Sequence, residues 1–541
     1  MNASQSRRSI VVFTATIACV AMTVFASAPS VAATRKATAT KAKPKTTVVA
    51  STTSPPTTAV SRGKLVVGAG GEIPGLDPAA VARDITSDAV SNAIYDALLD
   101  VPFGKPPRPA LARSVTEAPD RRSWTITIRD DVRFHDGTPL TADAVKLNLE
   151  RQRKSRLNGA SMALIKSIDV TGPLTLTLTV DKPYGSMPFL LGGTTGIMLS
   201  PKAIQEKADK LNREPTDAGT GPYILKEFVT GDHSTVVRNP NYWGDPKPRL
   251  DQIIFRVIPD EGARLAALRA GDVQSIVTLF PSTVNRAREA GFAIVEPPFG
   301  GSAAIFLNNS KPPFDDVRIR RAVSLAIDRP AVSAVFEDPN VGKQGFGLWP
   351  KGNPWYLADG DAQPYDRAEA RRLVSAYVKE TGRDVSFTYL LPNANGVSLD
   401  GSRLIVRYLQ DAGMDVTVQN LPDVNQLLGA IFSGQYQAAA WLVGLPTDPD
   451  ATAYPVLYST SPANFERYKS VEMDAALDAG RAASDPAARK AAYNDVQRIF
   501  RKDIPFIVSS PGTSNLISDK KVCGLDITGG FTAKTVGLGN C

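Results

Sequence analysis

The sequence predicts a mixed α/β protein built from more than one domain, and three observations carry that reading. The chain has 541 residues, more than a single ordinary core accommodates. Two segments, SWTITIR (123–129) and PLTLTLTV (173–180), alternate apolar and polar side chains. Trp124, Ile126 and Ile128 share one face of the first, and Leu174, Leu176, Leu178 and Val180 share one face of the second. A period of two with one apolar face belongs to strands of antiparallel-type sheets. Between such runs lie stretches with helical spacing: TSDAVSNAIYDALLD, EGARLAALRAGD, RIRRAVSLAIDR and DRAEARRLVSAYVKETG. Strands and helices mix without a strict βα alternation, and no internal repeat is visible.

Charge is distributed unevenly. Residues 1–62 hold eight Lys or Arg and no acidic residue, leaving 54 basic against 54 acidic side chains in the rest, so the formal charge of +8 resides in the leader. A neutral folded part gives no global basic face and argues against a nucleic-acid partner. Residues 1–33 read as an export signal: Arg7 and Arg8, an apolar run from Ile10 to Phe25, then small residues, with cleavage expected after Ala32 or Ala33. The run is short and interrupted by Thr, which disfavours a membrane span. Cys19 in TIAC is a poor lipid acceptor because apolar sequence continues past it, so anchoring there is the lesser alternative to release. Residues 34–62, rich in Thr, Ala, Lys, Ser and Pro, lack the apolar surface to offset ordering and read as a disordered tether. After processing, Cys523 and Cys541 remain, an even count that in an exported protein predicts a disulfide.

The segment RFHDGTPLTADAV (133–145) contains one of the two histidines. Asp136-Gly137 is a turn dipeptide, Thr141 an N-cap, and Leu140 with Val145 a hydrophobic staple, so strand, turn and capped helix explain all but His135. No second histidine or cysteine stands at ligand spacing from His135. His233, in TGDHSTVV, reads as part of a strand-linking turn. No metal and no cofactor are expected. GAGGEI (68–73) lacks the last glycine and the following helix that a dinucleotide loop needs. Neither a Gly-x-Ser-x-Gly elbow nor a His-Glu-x-x-His motif occurs. Binding is therefore favoured over catalysis. Two alternatives stay open: a carboxylate-based hydrolase, whose acidic pair no spacing reveals, and a regulatory or interaction protein.

Several segments, in order, resemble family 5 of the bacterial extracellular solute-binding proteins, the peptide, nickel and opine binders of ABC importers. They are GLDPA (75–79), IYDALLD (94–100), PALARSVTEAPDRRSWTITIRDDVRFHDGTPLTADAV (109–145), GTGPY (219–223), RNPNYW (238–243), LRAGDV (268–273), PPFDDVRIRRAVSLAIDR (312–329) and YDRAEARRLV (365–374). The resemblance implies a bilobed type 2 periplasmic-binding-protein fold with mixed sheets and an inserted subdomain. Lobe I would comprise 63–95, 216–295 and 506–541, the inserted subdomain 96–215, and lobe II 296–505. It further implies an exported monomer that captures a peptide or peptide-like small molecule and delivers it to ABC permease subunits. Family placement of the site falls on AAAWLVGLPTDPDATAY, giving Trp441, Gly444, Leu445 and Asp448, with Glu72 as a further candidate from lobe I. In peptide-binding members an aspartate after the glycine pairs with the peptide amino group, and here Leu445 stands there. Asp448 either substitutes from a shifted position or shapes the Asp-Pro turn, and Trp441 is either a cleft wall or core. Nickel binders use a histidine in lobe II, and this chain has none beyond residue 233.

Overall fold

The structure, a computed structural model, describes residues 63–81, 85–102, 105–296, 301–336, 345–392, 396–422, 424–443, 448–511, 515–525, 533 and 535–539. The export signal, the tether, Cys19, Gly444, Leu445 and Cys541 lie outside them.

Three sheets organise the chain. The first has seven strands in the order Ala293–Val295, Asn515–Ser518, Ser275–Thr278, Lys64–Ala69, Gln252–Val257, His233–Arg238 and Tyr223–Val229. Its Lys64–Ala69 strand is central and parallel to both neighbours, while the outer pairings are antiparallel. Helices Ile85–Ile94 and Glu261–Ala270 pack on it, and Leu65, Val67, Ile253 and Phe255 are buried there.

The second sheet is a four-stranded antiparallel insertion, Ala112–Glu117, Ser123–Ile128, Thr175–Val180 and Ile165–Gly172. The alternating side chains behave as the pattern requires: Trp124, Ile126, Ile128, Leu176, Leu178 and Val180 are buried in one core. The helix Ala142–Arg153 covers that face through Val145 and Leu149. Thr141 starts it, its hydroxyl accepting from the Ala144 N–H at 3.2 Å, and Leu140 and Val145 are both buried.

The third sheet has five strands in the order Asp415–Leu421, Ser386–Pro392, Ala438–Val443, Ser302–Leu307 and Phe506–Pro511. Both faces are covered. Helices Val317–Ala326, Arg367–Thr381 and Gly396–Asp411 pack on one and Pro486–Asp503 on the other. This corrects one boundary expected from sequence. Phe506–Pro511 pairs with Ser302–Leu307 and so belongs to the five-stranded sheet, and the return to the seven-stranded sheet begins at Asn515.

Cys523 is partly exposed, and its expected disulfide partner Cys541 lies outside the described residues. What fastens this segment is the antiparallel pairing of Val522–Cys523 with Gly537–Leu538, backed by buried Val522, Ala533 and Val536.

Candidate ligand cleft

Two crossings join the seven- and five-stranded sheets, from Val295 to Ser302 and from Pro511 to Asn515. The second spans four residue steps, so the strand ends it joins stand no more than about 14 Å apart. Register then fixes what else lies on these edges. On the seven-stranded side, Thr278 pairs with Asn515, and Ala69 ends a strand parallel to Ser275–Thr278. On the five-stranded side, Ser302 pairs with both Val443 and Pro511, and Pro392 ends a strand parallel to Ala438–Val443. The carboxyl ends of the central strands of both sheets therefore point toward one gap, the place where open α/β sheets bind solutes.

Of the residues singled out by sequence, Glu72 and Trp441 lie on these edges and are already engaged. Glu72, on the loop after Lys64–Ala69, accepts from Arg213 Nη1 at 2.8 Å. Trp441 stacks on buried Phe306, with centroids 5.5 Å apart at 30°, and meets Phe465 edge-on at 6.3 Å. Its indole thus packs within the lobe while part of it stays accessible. The neighbouring side chain points the other way. Leu442 is 64% exposed although it sits in an interior strand, and Leu279, just after Ser275–Thr278 on the opposite edge, is 44% exposed. Neither was singled out by sequence. A leucine in an apolar strand gives no signal of exposure until the register is known.

Asp448 is corrected as a ligand-binding candidate. It is 4% exposed and caps the helix Pro449–Leu457, its Oδ1 accepting from the Asp450 N–H at 3.0 Å. Arg489 Nη2 donates to the same oxygen at 2.8 Å, and Nη1 lies 2.7 Å from Oδ2, an ion pair outside hydrogen-bonding angle. A carboxylate so engaged is not free to meet an ammonium ion. Burial pushes the Asp448 carboxyl up to about 6, against the pull of Arg489. Burial likewise opposes the Arg489 charge, and Asp448 restores it, so the guanidinium is held above its ordinary value.

A second buried pair adjoins the first. Arg481 Nε donates to Asp450 Oδ1 at 2.9 Å, and its guanidinium lies 3.1 Å from the Tyr454 ring centre. Both arginines also touch the insertion. Arg489 Nη2 donates to Ser186 Oγ at 2.6 Å, and the Ser186 N–H donates to the Arg481 carbonyl at 3.4 Å. Gly185 makes this approach possible, since a Cβ there would stand 2.2 Å from the Ala483 carbonyl oxygen. Ser484 Oγ donates to Glu117 at 2.7 Å in the same interface.

The two histidines have structural partners. The His135 N–H donates to the Gly219 carbonyl at 2.7 Å and Nε2 donates to the Gly221 carbonyl at 3.0 Å, docking the insertion on the GTGPY segment. Gly219 permits the contact, because a Cβ would fall 1.8 Å from the Ile94 carbonyl oxygen. Burial lowers the His135 pKa. His233 lies between Asp232 at 2.9 Å and Glu227 at 3.1 Å, and chiefly Asp232 raises its pKa. Among the described residues no group of three His, Cys, Asp or Glu could hold a metal ion, and no helix is long and apolar enough to cross a membrane.

A family model described as bacterial extracellular solute-binding proteins, family 5 Middle, matches residues 106–465. Protein XP55 of Streptomyces lividans is 29% identical over 446 residues, covering 76% of this chain and 78% of that protein. The glutathione-binding protein GsiB of Salmonella paratyphi A is 26% identical over 467 residues, covering 82% of this chain and 88% of that protein. Among solved structures, the periplasmic binding protein DppA from Helicobacter pylori, in complex with the peptide STSA, superposes with a TM-score of 0.77 at 25% identity. That superposition covers 88% of this chain and 98% of that one.

Proposed function

Because the chain belongs to family 5 of the bacterial extracellular solute-binding proteins, we propose that it is the extracytoplasmic solute-binding component of an ABC importer, taking a peptide or peptide-like small molecule between two closing lobes. The observation that carries this is the edge geometry: carboxyl ends of strands from two sheets face one gap, and only two crossings connect those sheets. Such a joint leaves the lobes free to close on a solute, and the solute's own contacts with both edges favour the closed state. Relatives named for glutathione and for D,D-dipeptide binding, and a neighbour holding a peptide, support the ligand class. Both histidines are engaged within this chain, His135 by the Gly221 carbonyl and His233 by Asp232 and Glu227, which weighs against a metal cargo held by histidine.

Export, release or anchoring through Cys19, a Cys523–Cys541 clasp and a monomeric state complete the proposal. Leu445 at the family's amine-pairing position, with Gly444 before it, is proposed as a contact on the basis of sequence order alone. The decisive experiment is native mass spectrometry of the exported protein purified without added ligand. A co-purifying small molecule that peptide-like chemistry accounts for is expected. Substrate turnover that depends on one carboxylate would move the protein to the enzyme class.

A further inference from the structure

Lobe II holds a small cavity at the free edge of its sheet. Phe506–Pro511 is the outermost strand of the five-stranded sheet and pairs on one side with Ser302–Leu307. On its other side, at 506–508 and so at the end of the strand opposite the cleft, lies a cavity of about 20 Å³. That is room for one occupant of the size of a water molecule or slightly larger. Its polar lining is one-sided: Arg329, Arg501, Gln363 and Ser324 stand against apolar walls that include Phe500 and Phe506. Among the described residues, no Asp or Glu borders it.

Arg329 is buried. Its Nε donates to the Val508 carbonyl at 2.7 Å, Nη1 to the Ser324 carbonyl at 2.9 Å and Nη2 to the Ser324 hydroxyl at 2.8 Å. These bonds leave one N–H on each terminal nitrogen without a partner among the described residues. The Ser324 carbonyl belongs to the C-terminal end of the helix Val317–Ala326 and offsets part of the charge. The one carboxylate whose charge acts on Arg329 is Asp361. Its Oδ1 accepts from the N–H groups of Phe346 at 2.5 Å and Ala362 at 2.9 Å, and it does not line the cavity. Burial accordingly pushes the Arg329 guanidinium down to about 10. Other buried arginines of lobe II are better compensated: Arg481 and Arg489 each hold an aspartate, and Asp503, Asp316 and Asp315 act on Arg320. Arg501, the second cation at the cavity, donates through Nη1 to the Asp359 carbonyl at 2.7 Å, a neutral partner.

We infer that this cavity binds a small monovalent anion of halide size, held between Arg329 and Arg501 with the Gln363 amide as a further donor. A water molecule would fill the space but leave a buried cation short of counter-charge, which is a costly arrangement. An anion supplies that charge and accepts the spare N–H groups in charge-assisted bonds. The donors come from separate elements. Arg329 begins the helix Arg329–Val335, Gln363 follows the turn Ala358–Gly360, and Arg501 lies in the last turn of Pro486–Asp503. The ion therefore fastens the segment around the turn to the helix and to the open edge of the sheet. Its contribution is to the stability of lobe II and is independent of the solute that the cleft takes.

The test exchanges sodium chloride for sodium gluconate, whose anion is too large for the cavity, at equal ionic strength so that screening stays constant. Melting of the intact protein is compared with that of Gln363→Glu, which places a carboxylate of the chain beside both guanidiniums. Gln363 is partly exposed, so the variant is expected to fold. The comparison cancels any general effect of gluconate on stability. In about 0.2 M salt, the shift from gluconate to chloride should favour the wild type over the variant by about 2 °C or more, and it should saturate with chloride concentration. The variant should also melt above the wild type in gluconate. Independently, wild-type crystals grown in bromide should show an anomalous scattering peak inside the cavity. A chloride shift equal in wild type and variant leaves the cavity to water and overturns the inference, as does a cavity without bromide. A bromide peak with no difference in melting is an adventitious ion only and overturns it equally.

Discussion

Glu466 is fully buried, and neither of its carboxylate oxygens meets a donor among the described residues. Its backbone carbonyl accepts from the Asn309 N–H at 2.7 Å, which holds the residue inside lobe II. Burial pushes its carboxyl up to about 8. With the folded value raised above the unfolded one, the group's contribution to stability is complete below about 4.5 and is lost as pH rises through about 8. Glu466→Gln should therefore raise the melting temperature by a few degrees at pH 9 and by less at pH 6. Differential scanning calorimetry at the two pH values checks this, and a gain independent of pH would contradict it. Nothing in NFERYKS announces a buried acid, because a glutamate between aromatic and basic residues reads as surface until the fold encloses it. Asp448 is the opposite case. The Asp-Pro step made a turn legible, but its buried partner Arg489 is 41 residues away and invisible to local pattern.

The elements that were legible are those whose period or caps are local. The two alternating strands of the insertion and the Thr141-capped helix formed as the spacing requires. Phe506–Pro511 was assigned to the wrong sheet because strand propensity carries no information about partners. The contact between the insertion and the helices Val471–Ala482 and Pro486–Asp503 depends on the same kind of distant pairing. There Arg489 joins Asp448, at the start of one lobe II helix, to Ser186 of the insertion. Arg489→Met would leave Asp448 buried without its cation and should cost on the order of 3–5 kcal/mol. Ser186→Ala removes one hydrogen bond from a charged donor and should cost roughly 1.5–3 kcal/mol. Denaturant unfolding should therefore rank wild type above Ser186→Ala and that above Arg489→Met. An Arg489→Met protein as stable as the wild type would show that the pair does not hold this junction.

At the scale of the molecule, the bilobed class was legible because eight ordered motifs resemble one family, and the structure supplies their physical reasons. GLDPA, for instance, places Asp77 where Arg151 Nη1 donates to it at 2.7 Å, tying the opening loop to the insertion. FHDGTP docks the insertion on GTGPY through His135. The border of the cleft was less legible, since the exposure of Leu279 and Leu442 follows from long-range register and the pairing of Glu72 from a residue 141 positions away. The central claim is that the two lobes, whose chain connections are the crossings at 296–301 and 512–514, close on a solute. Small-angle X-ray scattering tests it most directly. The protein is stripped of bound solute by reversible unfolding, then measured before and after the released small-molecule fraction is returned. The account predicts a radius of gyration that falls and saturates as the solute rebinds. A radius that stays constant while native mass spectrometry shows the solute bound would contradict it.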